Sequence, residues 1–176
     1  HKYSIKNVTG LNILPLAIYR DPFDIITHLL VGSEGTLAFL SEFTMKTGKD
    51  YPFKASAMLY FNDIKEACRA VVAMKKGPVM GAELLDKKSL ESVNDPTGRG
   101  LTAVLTETMA DTKEELYSQI EQIEGILSAF KTAVPVKFTD KEEEYAPYWA
   151  IRSGIFPSVG GTRKPGTTTL IEDVAF

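Results

Sequence analysis

The sequence has 176 residues, 44% of them hydrophobic, a net charge of −3 and a single cysteine, Cys68. That length and apolar content suit one or two small units with a real core, and the acidic balance argues against a nucleic-acid partner. No stretch approaches the roughly 20 apolar residues of a membrane helix, and one cysteine excludes both an internal disulfide and a cysteine-based zinc site.

The start, His1-Lys2-Tyr3-Ser4, lacks the basic stretch and apolar core of a secretory signal. There is no initiator methionine, and Glu172-Asp173-Val174-Ala175-Phe176 reads as a strand still running, so an internal piece of a longer protein is expected; the lone cysteine fits a reducing compartment, and the expected location is cytoplasmic, at most peripheral to the inner membrane face. Val8-Thr9-Gly10 marks a turn. Tyr19-Arg20-Asp21-Pro22 marks another, because the pyrrolidine ring of Pro22 restricts Asp21 to extended conformations. An apolar run covers residues 24–31, and Leu37-Ala38-Phe39-Leu40 and Phe43-Thr44-Met45 read as strand. Gly48-Lys49-Asp50-Tyr51-Pro52 reads as a domain boundary.

Beyond it strands and helices alternate. Residues 53–61 read as a strand, and Asn62 is placed to cap a helix whose apolar face is Ile64, Ala67, Cys68, Val71 and Val72. Residues 78–85 read as a second strand, 87–93 as a short helix, 94–98 as a turn and 101–108 as a third strand. Thr112-Lys113-Glu114-Glu115 has the form of a capping box, after which Leu116, Ile120, Ile123, Leu127 and Phe130 repeat at helical spacing. Residues 133–139 read as a fourth strand, a short helix is expected around 147–154, and a last strand from 168 to 176. Two strand–helix–strand units in succession predict an α+β fold of the ferredoxin-like kind, one face of its sheet buried under two helices.

Three segments could carry chemistry. In Val31-Gly32-Ser33-Glu34-Gly35-Thr36-Leu37, two glycines three apart let a ligand approach the backbone, where amides with Ser33 and Thr36 could bond phosphate or flavin oxygens; read alone, the segment favours a plain tight strand–strand turn. Tyr145, Tyr148, Trp149 and Arg152 share a helix face, with Pro147 marking the helix start. A guanidinium fork there suits bidentate capture of a carboxylate, and an aromatic cluster with Arg152 stacked on Trp149 is the alternative. The stretch 160–168 joins glycines and hydroxyls to Arg163 and Lys164, and residues 145–171 contain no acid, so a positive patch or a surface loop is expected. His28 in its apolar run reads as a core histidine, Cys68 as a small core residue, and Glu142-Glu143-Glu144 as a solvated turn. No His/carboxylate grouping has metal spacing.

The segment from His28 to Phe39, containing Val31-Gly32-Ser33-Glu34-Gly35-Thr36, resembles the flavin-domain signature of the FAD-linked oxidases, the family with the vanillyl-alcohol-oxidase type of flavin domain. Lys6-Asn7-Val8-Thr9-Gly10-Leu11-Asn12 is similar to that family's Lys-Asn-Thr-Thr-Gly-Tyr stretch, with Leu11 replacing the tyrosine. Tyr148-Trp149-Ala150-Ile151-Arg152 resembles its Trp-x-x-Arg motif, and Ile171-Glu172-Asp173-Val174-Ala175-Phe176 its Glu-Asp-Val-Ala strand. Four matches in the expected order are far more specific than any one. Residues 153–157 and 160–166 fit best the subgroup that resembles D-lactate and D-2-hydroxyglutarate dehydrogenases.

The resemblance implies that residues 1 to about 49 are the last part of an FAD-binding domain and residues from about 50 to 176 most of a substrate (cap) domain. It places Gly32, Ser33, Gly35 and Thr36 against FAD, with Asn7, Thr9 and Gly10 nearby, and gives Arg152 the carboxylate of a small 2-hydroxy acid. The parent would pass a hydride from substrate C2 to flavin N5 while a base takes the hydroxyl proton, and in some members an iron–sulfur region follows the flavin part. The histidine segment that the family uses for substrate and metal has no counterpart here, so no general base or metal ligand is assigned. The competing expectations are a non-catalytic ferredoxin-like module that binds an effector or partner, and a sister flavoprotein acting on alcohols or lipids.

Overall fold

The structure, a computed structural model, describes residues 11–168. Asn7, Thr9, Gly10, the Glu172-Asp173 pair and all but the first residue of the last expected strand lie outside the described residues. The chain divides into two compact units that meet between Gly48 and Lys49.

In the first unit, α1 (Pro15–Ile18) is a single turn and α2 (Pro22–Leu30) a short amphipathic helix. Asp21 is extended, as the following proline demands, and its carboxylate accepts hydrogen bonds from the amides of Phe23 and Asp24, capping α2. Pro15 and Ser33 are the buried residues among 11–48, whereas Phe23, Phe39 and Met45 are widely exposed. The strands expected over 37–40 and 43–45 are not formed, because an extended apolar run needs a neighbouring strand to accept its ladder hydrogen bonds. His28, expected in a core, is exposed: it stacks on Tyr19 at 4.2 Å and its Nε2 lies 3.0 Å from the Tyr19 hydroxyl.

The second unit is built on a three-stranded antiparallel sheet ordered β1 (Phe53–Phe61), β3 (Thr102–Ala110), β2 (Gly81–Leu85). Strands β1 and β3 pair over nine residues, from Phe53 opposite Ala110 to Phe61 opposite Thr102. The expected fourth strand is reduced to a bridge between Ser56 and Thr139, plus a hydrogen bond from the Ala133 amide to the Tyr60 carbonyl, so residues 133–139 follow the outer edge of β1. Pro135 has no amide to donate, which limits the ladder there.

Side-chain alternation decides what each sheet face receives. Ala57, Leu59, Phe61 and Val104 pack against α3 (Ile64–Met74) and α5 (Lys113–Leu127) through Ala67, Ala70, Met74, Ile123 and Leu127. Met58, Tyr60, Leu85, Ala103 and Leu105 form a second core with Leu90 of α4 (Lys87–Ser92) and Ile155 of α6 (Glu142–Thr162). The sheet is therefore covered on both faces, not on one.

Three further expectations need correction. Asp63 caps α3 in place of Asn62, accepting from the Lys65 amide. The buried stripe of α3 is Ala67, Ala70 and Met74; Ile64 and Val72 are exposed and Cys68 is only partly covered. Helix α6 runs for 21 residues through Pro147, Pro157 and the Gly160-Gly161 pair, so it is not short, and it takes in residues 160–162 of the expected loop, of which residues 163–168 are irregular and exposed. Glu142, Glu143 and Glu144 are its first turn, where acids complement the helix dipole, and Arg163 and Lys164 follow its C-terminus, where cations do the same.

Candidate functional site

Helix α6 lies over the sheet face that carries Lys54, Ser56, Met58 and Tyr60 of β1, Glu107 and Leu105 of β3, and Glu83 and Leu85 of β2. Its seating is fixed on the apolar side by Ile155, 8% exposed, with Tyr148, Trp149 and Ile151 packed beside it. The Trp149 indole donates a 3.2 Å hydrogen bond to the hydroxyl of Ser56, which is fully buried. This contact spans 93 residues of sequence and ties the first half of α6 to the centre of β1.

Arg152 lies one helical turn before Ile155, and its Nη2 reaches Oε2 of Glu83 at 3.5 Å. That distance is the outer limit of a hydrogen bond, and a single end-on contact is the opposite of a bidentate clasp. Both side chains are 45% exposed, so the guanidinium keeps donors facing solvent. The stack of Arg152 on Trp149 is not formed: the indole is turned to Ser56 and the guanidinium to Glu83.

Glu107 stands on the next rung, opposite Ser56 on one side and Gly81 on the other. Burial pushes its carboxyl above the usual carboxylate range, and Lys54 and the Ser56 hydroxyl oppose that shift. Lys54 itself is paired to Asp50 at 2.8 Å. Tyr145 lines a separate open polar recess of about 440 Å³ together with Lys54, Lys113, Asp140 and Glu142, and Arg152 takes no part in it. Of the four aromatic and basic residues expected on one face of α6, Trp149 and Arg152 thus meet the sheet's polar side chains, Tyr148 joins the apolar core and Tyr145 borders the recess.

In the first unit, Gly32 and Gly35 take φ values of +80° and +75°, with Glu34 between them at +51°. A left-handed backbone of this kind selects glycine, and no neighbouring atom of the described residues lies within 4 Å of either Cβ position. The Ser33 amide bonds to the Leu30 carbonyl, and both the amide and hydroxyl of Thr36 turn back onto the Ser33 carbonyl. The amides of Gly32, Glu34 and Gly35 have no backbone acceptor among the described residues. Such an open run of donors fits the phosphate or ring oxygens of a cofactor like FAD, with Ser33 buried and Thr36 internally satisfied as the bend's framework. No group of three or more metal-ligating side chains occurs among the described residues.

Sequence reasoning passed over Glu83, Glu107 and Ser56. The available signal for the two acids was a lone charge inside an otherwise uncharged strand, as in Ala82-Glu83-Leu84-Leu85 and Leu105-Thr106-Glu107-Thr108.

Residues 52–176 match the family described as FAD linked oxidases, C-terminal domain. The chain is 28% identical over 152 residues to the mitochondrial D-lactate dehydrogenase (cytochrome) of Arabidopsis thaliana, an alignment covering 85% of this chain and 27% of that protein. It is 26% identical over 144 residues to the glycolate oxidase subunit GlcD of Escherichia coli strain K12, covering 78% of this chain and 28% of that subunit. The chain thus spans about a quarter of the length of these curated relatives. No helix among the described residues is long and apolar enough to cross a membrane. Because the family match runs over residues 52–176, well beyond half of the sequence, the chain belongs to the FAD-linked oxidases, a family of flavin-dependent oxidoreductases, and carries their C-terminal domain.

Proposed function

We propose that this chain is part of an FAD-dependent enzyme that oxidises a D-2-hydroxy acid of the lactate, 2-hydroxyglutarate or glycolate class to the 2-oxo acid. The observation that carries the reading is the Arg152 guanidinium, presented from a helix anchored on the sheet and held by one loose contact to Glu83. A fork in that state can be turned onto an incoming carboxylate at little cost, and a substrate held by both oxygens is aligned for transfer from C2. The names of the two relatives, a D-lactate dehydrogenase and a glycolate oxidase subunit, agree with this substrate class.

In this reading residues 1 to about 49 are the end of the FAD-binding domain, and residues from about 50 to 176 are most of the substrate domain. The backbone at Gly32, Ser33, Gly35 and Thr36 borders the cofactor, with Asn7, Thr9 and Gly10 close by. Bound FAD supplies a two-electron acceptor for the hydride. Arg152 binds and orients the acid, while Trp149, fastened to Ser56, walls the site on one side. We further infer that residues 133–139 complete a ferredoxin-like order as a fourth strand beside β1, a reading supported by the Ser56–Thr139 bridge.

Anaerobic addition of D-lactate, glycolate or D-2-hydroxyglutarate to the full-length flavoprotein tests the proposal. At least one acid is expected to bleach the oxidised flavin band, and no bleaching by any of them overturns the reading. Arg152→Ala is expected to weaken acid binding by about 30-fold, the equivalent of about 2 kcal/mol for charge-assisted hydrogen bonds, with flavin content retained. Loss of flavin with no change in acid binding would assign Arg152 a structural role.

A further inference from the structure

We propose that Glu83 is a specificity residue that restricts the acid site at Arg152 to 2-hydroxy acids bearing a single carboxylate. The inference rests on the reading that Arg152 takes the substrate's carboxylate. Glu83 cannot turn away from that site: Leu85, two residues on, is buried on the same face, and Glu83 sits opposite the fully buried Leu105. Its carboxylate is therefore built in beside the guanidinium, 3.5 Å from Nη2.

The contact is too long and one-sided to consume the Arg152 fork, and an exposed pair of this kind is weakly held. A substrate carboxylate can displace it. Glu83 then remains as an uncompensated negative charge next to the occupied subsite. The charged side chains on this sheet face are Lys54, Glu83 and Glu107, joined from α6 by Arg152. Glu107 stands diagonally across from Glu83, one rung along β3. Lys54 lies two strands from Glu83 and four residues along β1 from Met58, which is level with Glu83, so it is about 16 Å away at ordinary sheet spacings, and it is paired to Asp50. Arg152 is thus the cation beside Glu83, while Glu107 feels Lys54. A 2-hydroxy acid with one carboxylate satisfies Arg152 and brings no further charge. A dicarboxylic acid brings a second carboxylate into the field of Glu83 with no second cation on this sheet face nearer than Lys54 among the described residues, and repulsion between unit charges about 10 Å apart near a protein surface is on the order of tenfold in affinity.

The test uses the full-length flavoprotein and the rate of anaerobic flavin reduction with D-lactate and glycolate against D-2-hydroxyglutarate and D-malate. The unaltered protein is expected to favour the single-carboxylate acids by at least about tenfold in kcat/KM, through KM more than through kcat. Glu83→Gln should close that gap by about tenfold, and Glu83→Asp, which restores the charge, should largely keep it. A ratio that Glu83→Gln leaves unchanged, or an unaltered protein that prefers the dicarboxylic acids, overturns the proposal. Should Glu83→Gln lose its flavin, the unaltered protein still decides the matter: raising salt must narrow its preference by screening the repulsion, and a salt-independent preference refutes the role of Glu83. Failure of the underlying reading looks different, because then no acid bleaches the flavin or Arg152→Ala leaves acid binding intact.

Discussion

Tyr60 and Asp95 show what a single buried polar contact contributes in this domain. Tyr60 is 6% exposed, and its hydroxyl donates a 2.9 Å hydrogen bond to Asp95, whose other oxygen accepts from the Thr97 amide. Burial and the neighbouring Asp95 carboxylate hold the tyrosine well above its usual range, so it stays a donor across the working pH range. Tyr60→Phe leaves Asp95 short of a partner and is expected to cost about 1–3 kcal/mol, read as a lower urea midpoint with an unchanged slope. Glu107 works in the other sense. Its carboxyl is raised by burial, so its contribution is complete below the ordinary value of 4.5 and is lost as pH climbs through the folded value. Glu107→Gln should therefore raise the melting temperature near neutral pH and leave it unaltered in acid, where the native side chain is already neutral. Arg152 and Trp149 were legible from their spacing along one helix. Glu83 was not, since its partner is 69 residues away and only the fold brings them together.

Among the elements, α6 departs furthest from its sequence. Pro147 points to a helix beginning nearby, because proline is harmless in a first turn and costly inside. The helix instead begins at Glu142, where Glu144 is gripped by Lys141 at 3.0 Å, by the Thr139 hydroxyl at 2.9 Å and by Lys137 at 3.3 Å. These contacts, all from residues within seven positions of Glu144, outweigh the proline signal. They also pull the Glu144 carboxyl down to about 2, with the Lys141 contact the largest cause. A lowered value places this stabilisation above pH 4.5 and removes it as pH falls toward 2, so the melting temperature of the native chain should exceed that of Glu144→Gln near neutrality and converge with it in strong acid. Helix α5 was more legible. Thr112 caps it through the Glu115 amide as its pattern foretells, although the return bond from Glu115 goes to the Asp111 amide, one residue earlier than a regular capping box requires. The strands of the sheet were readable as short, mostly uncharged runs bounded by turn signals. The reduced segment at 133–139 was not, because its pairing depends on what the edge of β1 accepts.

At the scale of the whole molecule, the two units differ in what they bury. The second has cores on both sheet faces, whereas residues 11–48 leave Ile13, Phe23, Val31, Phe39 and Phe43 exposed. Opening free energy follows buried apolar contact, so amide exchange should be slow across Phe53–Phe61 and Thr102–Ala110 and fast across Pro22–Leu30, and equal protection of the two would contradict this division. Family membership was legible as motifs scattered along the chain, while the chemistry each motif performs waits on the side chains that folding sets beside it. The sheet's outer boundary has a consequence of its own. Strand β2 closes the β1-β3-β2 order with five residues and directs the charge of Glu83 inward. A stray strand from another molecule finds there a short template with an ion at its middle, a combination that discourages intermolecular β-pairing and hence fibrillar growth from this margin.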